Sequence, residues 1–177
     1  MKYLVLFLCF LSLPTLAQIK LPANESGQVQ YQEIVRVPDS KRPARQLMEQ
    51  ARAWGEQHYR SNLTTEQQFD QEHNILFIRS SYLINNQTIR YTLTIEPKFG
   101  RYRATLTDLV AENNGMNIPV RPSSVTVDDI KRIAADSLKN NNLIEETAQR
   151  QADLYDQLDK SCRATLASLK AVMTDDN

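Results

Sequence analysis

The sequence predicts an α+β fold in which helices pack on one face of an antiparallel sheet and a long helix ends the chain. Residues 88–96 and 101–109 alternate apolar and polar side chains, which indicates strands with one buried and one solvated face. Residues 42–60 and 143–173 repeat apolar side chains every three or four positions, which indicates helices. The order strand, helix, four strands, long helix is typical of a two-layer α+β protein.

The composition of the chain argues against several functional classes. The 177 residues include 21 basic and 21 acidic side chains, and 41% of the residues are apolar. The four glycines are scattered, so no Gly-rich phosphate loop can form. Two cysteines and two histidines are too few for a structural zinc site of the usual kind. The sequence therefore predicts no metal and no cofactor.

The first 17 residues have the pattern of a secretory signal peptide. Lys2 supplies the positive start, residues 3–13 are almost entirely apolar, and Ala17 is a small residue at the expected cleavage point. The apolar run is shorter than the roughly 20 residues that span a bilayer, although a retained membrane anchor is the alternative. We therefore expect an exported protein, periplasmic or secreted, with no transmembrane segment after cleavage.

The processed chain is predicted to contain three parts. They are a flexible N-terminal segment at 18–27, an α+β domain at 28–142 and a C-terminal helical extension at 143–177. Loss of Lys2 leaves 20 basic against 21 acidic residues, a net charge of −1. Nucleic-acid-binding domains are usually strongly basic, so we expect no nucleic-acid partner.

The first half of the domain begins with a strand at residues 28–37, which Pro38 ends. Ser40 is the predicted cap of the helix at 42–60, and Trp54 on the apolar stripe of that helix is a predicted core residue.

Four consecutive strands follow, at residues 63–70, 74–83, 88–96 and 101–109. Tight turns are predicted at Asn85-Asn86 and at Phe99-Gly100. These turns fix the register, and a shift by one residue would place apolar side chains opposite polar ones. The predicted opposite pairs are Ile78 with Leu93, Arg79 with Thr92, Leu93 with Leu106, Thr94 with Thr105, and Glu96 with Arg103.

The remainder is predicted to be a loop at 111–125, a helix at 127–139 that Thr126 caps, a bend at Asn140–Asn142 and the long helix. The apolar stripe of the long helix consists of Ile144, Ala148, Leu154, Tyr155, Leu158, Cys162, Leu166, Leu169 and Met173. Because Cys162 lies on this stripe, a buried thiol is favoured over an intermolecular disulfide, although its role stays open.

Several segments of the chain together resemble one known family. They are Tyr31–Val35 with Val37–Pro38, Ala51–Trp54, Tyr91–Glu96, Gly100–Arg103 and Thr107–Asp108. The chain thereby resembles a domain-of-unknown-function family of exported proteins from Gram-negative bacteria. The resemblance covers about residues 28–110. It implies a fold like that of the TATA-binding protein, with helices on the convex side of a curved sheet, and it implies no activity.

No pattern in the sequence is typical of a catalytic site. Glu56 and His58 lie close together, but no second histidine follows at the helical spacing of a zinc protease. Acidic pairs such as Asp128-Asp129 are adjacent, and adjacent helical side chains diverge by about 100°. We therefore expect a protein that is not an enzyme, with no catalytic residue.

The solvated face of the predicted sheet is the candidate ligand or partner face. Its residues are Arg79, Arg90, Thr92, Thr94, Arg101, Arg103 and Thr105. Between residues 79 and 103, five basic side chains accompany one acidic one, and arginine forks suit carboxylate or phosphate. The functional hypothesis is a shallow site for an acidic envelope polymer or the acidic tail of an envelope protein. The alternatives are a solvated face that resists aggregation and a face covered by the acidic segment 145–177 of this chain.

The long helix suggests a second hypothesis. Thirty helical residues span about 45 Å, so two copies could pair along it as a homodimer, with a coiled coil as the extreme case. Our leading hypothesis is a non-catalytic binding or interaction module of the cell envelope. The alternative is a structural envelope component that self-associates through its C-terminal helix.

Overall fold

The computed structural model describes residues 18–113, 115–134 and 141–175. The predicted signal peptide at 1–17 and the end of the predicted helix at 127–139 lie outside these residues. The strands are β1 (Tyr31–Arg36), β2 (Glu66–Asp70), β3 (Ile75–Ile84), β4 (Gln87–Lys98), β5 (Arg101–Asn113) and β6 (Met116–Pro119). The helices are α1 (Ala44–His58), α2 (Val127–Ala134) and α3 (Asn141–Met173).

The strands form one curved antiparallel sheet in the order β1-β5-β4-β3-β2, and β6 pairs with the far end of β5. Every register pair predicted from the sequence is confirmed, including Ile78 opposite Leu93 and Glu96 opposite Arg103. Asn85 and Asn86 take φ values of 50° and 62° in the β3–β4 turn, which the two-residue hairpin requires. The predicted α+β class, with helices on one face, is confirmed.

The core lies between the sheet and the helices α1 and α3. Trp54 is 4% exposed and is a core residue, as predicted. The α3 stripe is also buried in the described residues, because every residue predicted for it is less than a tenth exposed. From Leu154 to Met173 this stripe belongs to the same core cluster as α1.

Side-chain hydrogen bonds join the helical layer to the sheet and join the helices to one another. The Tyr91 hydroxyl donates to the Tyr59 hydroxyl at 3.1 Å in a buried position. Tyr82 and Thr165 share a hydroxyl hydrogen bond of 2.8 Å between β3 and α3. Trp54 Nε1 donates to Ser168 Oγ at 3.1 Å. Hydrogen bonds therefore hold the helices against the sheet in addition to apolar contacts, since buried polar groups must find partners.

Strand β5 continues to Asn113, beyond its predicted end at residue 109. A β-bulge interrupts the apolar–polar alternation on which the prediction rested. Thr92 lies opposite Thr107, but Arg90 lies opposite Val110, so β5 carries one extra residue there. Asp108 takes a φ of 54° in this bulge. The extra residue changes the parity of the strand, so Leu109 returns to the core face.

Three further local predictions differ from the structure. Strand β6 occupies part of the predicted loop 111–125, where its four exposed residues give no alternating signal. Ser40 does not cap α1, because the helix begins after Pro43 without a side-chain cap. The predicted bend is wrong at residues 141–142, where α3 has already begun. The N-terminal segment is attached to the body through Leu21, which is 4% exposed and donates its N–H to Pro122 O.

Candidate binding face

The sheet face opposite α1 and α3, called here the open face, carries all seven predicted site residues. They are Arg79, Arg90, Thr92, Thr94, Arg101, Arg103 and Thr105, and all are half-buried or exposed. They alternate along β3, β4 and β5 with side chains of the core, such as Ile78 and Leu93. The alternation of apolar and polar residues in the sequence therefore correctly predicted that these side chains share one surface.

The open face does not bring the seven residues into one site. Arg79, Arg90 and Thr92 line a depression of about 570 Å³, called here the bulge depression, together with Glu66, Asp108 and Glu112. Arg101 and Arg103 border a separate depression of about 130 Å³ near the β4–β5 turn. Thr94 and Thr105 lie directly opposite each other on neighbouring strands.

Three of the four predicted arginines are already paired with carboxylates. Arg79 Nη1 lies 3.8 Å from Glu66 Oε2, across the β2–β3 ladder. Arg90 Nη2 lies 3.4 Å from Glu112 Oε2. The same Arg90 nitrogen also donates to Asn117 Oδ1 at 2.6 Å.

The third pair is bidentate. Arg103 Nε donates to Glu96 Oε1 at 3.1 Å, and its Nη2 donates to Glu96 Oε2 at 2.5 Å. These hydrogen bonds raise the pKa of the Arg103 guanidinium above its usual value.

Acidic side chains therefore offset the predicted basic excess around Arg79, Arg90 and Arg103. The count between residues 79 and 103 contained one acid, but the neighbouring strands add Glu66 and Glu112 to the same face. The register of the β2–β3 hairpin could have placed Glu66 opposite Arg79. Glu112 could not be placed without the bulge at Asp108, which shifts the pairing of the later residues of β5 with β4.

The chemistry of the bulge depression is that of reversible polar recognition. Its arginines and carboxylates are exposed, so a ligand carboxylate or phosphate can exchange with Glu66 or Glu112 at small cost. Among residues 18–113, 115–134 and 141–175, no group of three His, Cys, Asp or Glu side chains is placed to hold a metal ion. Within the described part of the chain, no helix is long and apolar enough to cross a membrane.

Comparison with known proteins identifies the fold. A TBP-like protein from Parabacteroides distasonis superposes with a TM-score of 0.52 at 15% identity, over 84% of this chain and 96% of that one. The chain has a TBP-like fold. This TBP-like architecture also matches a DUF4468 family protein from Bacteroides ovatus, with a TM-score of 0.51 at 11% identity. That match covers 88% of this chain and 91% of the other.

The two matches confirm the TBP-like fold that the family resemblance implied. At this level of identity they show the fold alone, and fold does not transfer function. No family model matches the sequence, and no curated protein is similar to it at a significant level. The function of this TBP-like chain must therefore be argued from its own surfaces.

Proposed function

We propose that the protein is a non-catalytic binding module of the cell envelope that engages its partner through the open face. The main support for the proposal is the difference between the two faces of the sheet. Helices cover one face of the sheet, whereas the other presents a depression of about 570 Å³ lined by Arg79, Arg90 and Thr92. A sheet face with polar side chains fixed by neighbouring strands is a rigid recognition surface.

The side chains of the bulge depression favour a partner that carries carboxylate groups. Each arginine in it is held by one exposed carboxylate, and a partner carboxylate can replace that group without leaving a buried charge unpaired. The alternating hydroxyls of Thr88 and Thr92 add neutral hydrogen-bonding groups beside the two guanidinium groups.

A pull-down from a solubilised envelope fraction tests this proposal, and charge-neutral variants make it specific. The face variant replaces Arg79 with Ser and Glu66 with Ser, and likewise Arg90 and Glu112. It removes both guanidinium groups without changing net charge. We expect wild type to retain an envelope component that this variant loses.

The matched control variant replaces two ion pairs of the helical layer. They are Arg45 with Glu49, 3.2 Å apart, and Lys160 with Asp156, 2.6 Å apart. We expect the control to retain the component. Equal recovery with wild type and the face variant would contradict a role for the bulge depression.

Self-association through the C-terminal helix stays a prediction. The apolar stripe of α3 from Leu154 to Met173 is already packed in the core of one copy. Among the described residues of α3, Leu143 and Val172 are the exposed large apolar side chains, at 39% and 38%. A second copy would therefore find little apolar surface along this helix.

A further inference from the structure

Three cations form a row across the end of the open face. Arg36 in β1 lies directly opposite Arg101 in β5, and Arg101 lies directly opposite Lys98 in β4. Neighbouring strands are about 4.8 Å apart, so the three residues, called here the cation row, are held close together. All three side chains are exposed.

The cation row differs from every other arginine site on the open face. Arg79, Arg90 and Arg103 each have a carboxylate within 4.0 Å, whereas no described carboxylate lies within that distance of the cation row. Like charges directly opposite each other in a sheet repel, so the native register here opposes the stability of the fold. An external anion would relieve that repulsion.

The backbone around the cation row is fixed. Val37 N donates to Gly100 O at 3.1 Å, and Gly100 N donates to Arg42 O at 3.0 Å. The loop between β1 and α1 therefore holds the β4–β5 turn in place. That loop also adds Lys41, with Asp39 as the nearby acid, whose carboxylate accepts from the Lys41 amide.

Two exposed apolar side chains lie among these cations. Phe99, at the turn, is 66% exposed and lines a depression of about 390 Å³ with the cation row. Ile34 is 64% exposed and lines the depression of about 130 Å³ with Lys98 and Arg101. Glu96 also lines that depression, but its carboxylate is paired with Arg103. Charge alone suits any polyanion, but cations combined with protruding apolar groups are typical of interfacial membrane binding.

We propose that this end of the open face, formed by the cation row with Phe99 and Ile34, docks the protein on an anionic lipid surface. The cations contact the lipid phosphates, and Phe99 enters the boundary between headgroups and acyl chains. The inference goes beyond the proposed function, because it uses neither Arg79 nor Arg90 and concerns where the protein is held.

Vesicle co-sedimentation of the purified protein tests the proposal. Phosphatidylcholine vesicles with and without phosphatidylglycerol are the probes. We expect binding to the mixed vesicles alone. Each cation contributes about fivefold to such binding, so a variant with Arg36, Lys98 and Arg101 replaced by Ser should bind about a hundredfold more weakly at low salt. Phe99→Ser should weaken the binding that remains at high salt.

The control loses the same charge elsewhere, at the exposed residues Arg60, Lys131 and Arg150. Its vesicle binding should weaken much less than that of the cation-row variant, because the attraction to anionic lipid falls off with distance from the membrane surface. Thermal unfolding checks the fold, and the cation-row variant should unfold no earlier than wild type, because it loses mutual repulsion.

Three results would overturn the proposal. They are no binding to the mixed vesicles, equal weakening of binding in the control variant, and binding to polyglutamate without binding to the vesicles. The last result would assign the cation row to an acidic protein. Failure to bind vesicles would not count against the proposed function, because the pull-down tests different residues, those of the bulge depression.

Discussion

Gly100 lies so close to Ser40 that a Cβ on Gly100 would be 2.3 Å from the Ser40 carbonyl oxygen. Its φ of +66° is also unfavourable for any other residue. This contact fixes the β4–β5 turn against the loop that leads into α1. The position of the cation row therefore depends on glycine at residue 100.

Replacing Gly100 with Ala should lower the free energy of unfolding by about 2 kcal/mol or more, because backbone atoms must move apart. Gly27→Ala is the matched control, since Gly27 has a φ of +74° but nothing within 4 Å of the added Cβ. Urea unfolding of both variants measures the difference. Equal destabilisation would show that the close contact with Ser40 adds nothing beyond the backbone angle.

The buried hydroxyl pair Tyr91–Tyr59 should contribute measurably to stability. In Tyr91→Phe the Tyr59 hydroxyl loses the partner that donates to it at 3.1 Å, so we expect a loss of about 1–2 kcal/mol. Tyr102→Phe should have a smaller effect. No hydrogen bond joins the Tyr102 hydroxyl to a described residue, and no buried side-chain oxygen of the described residues lacks a partner, so this hydroxyl reaches solvent. Thermal unfolding of the two variants compares them, and a larger loss for Tyr102→Phe would contradict this account.

The thiol of Cys162 should be unreactive in the folded protein. It is fully buried, and burial raises its pKa to about 12. Thiolate is the reactive form, so a disulfide reagent should modify the native protein only as fast as it unfolds. Labelling with and without urea measures this. Rapid labelling of the native protein would instead indicate an exposed thiol available for intermolecular pairing.

Stability should fall slightly on mild acidification because of His58. Burial beside Trp54 lowers the pKa of His58, so the folded protein favours the neutral ring. The stabilisation is fully present above the unfolded pKa near 6.5 and is lost as the pH falls below that value through the lower pKa of the folded state. The effect is small because the ring keeps much of its contact with solvent.

Urea midpoints at about pH 7.5 and about pH 5.5 measure this loss, and His58→Gln should reduce it. We expect a second loss of stability at more acidic pH. Hydrogen bonds to the carboxylates of Asp70 and Asp129 lower their pKa values, so their contribution is present above the usual carboxyl range and disappears below it. An unchanged pH dependence in His58→Gln would remove His58 as the cause of the first loss.

Alternation and turn chemistry were enough to predict the sheet from β3 to the middle of β5. Residues with a period of two, joined by Asn85-Asn86 and Phe99-Gly100, leave one register that buries the apolar side chains. The bulge at Asp108 could not be predicted, because an extra residue reverses the alternation without a local signal. The short strand β6 depends on that bulge, since it pairs with the part of β5 beyond it.

The candidate face was predicted residue by residue, but its electrostatics were not. Alternation shows which side chains of one strand share a face, but ion pairs form between strands. Glu66 pairs with Arg79 through the β2–β3 register, and Glu112 pairs with Arg90 beyond the bulge. The cation row was missed for a related reason. Arg36 joins Arg101 and Lys98 only through the pairing of β1 with β5, which no turn in the sequence specifies.

Site-specific photo-crosslinking in living cells tests most directly whether the open face binds an envelope partner. A photoreactive side chain at Thr94, in the middle of the open face, is compared with one at Glu56, on the exposed side of α1. We predict an adduct with an envelope component from position 94 and none from position 56. Adducts from position 56 alone, or from neither position while the protein is folded and exported, would contradict the account.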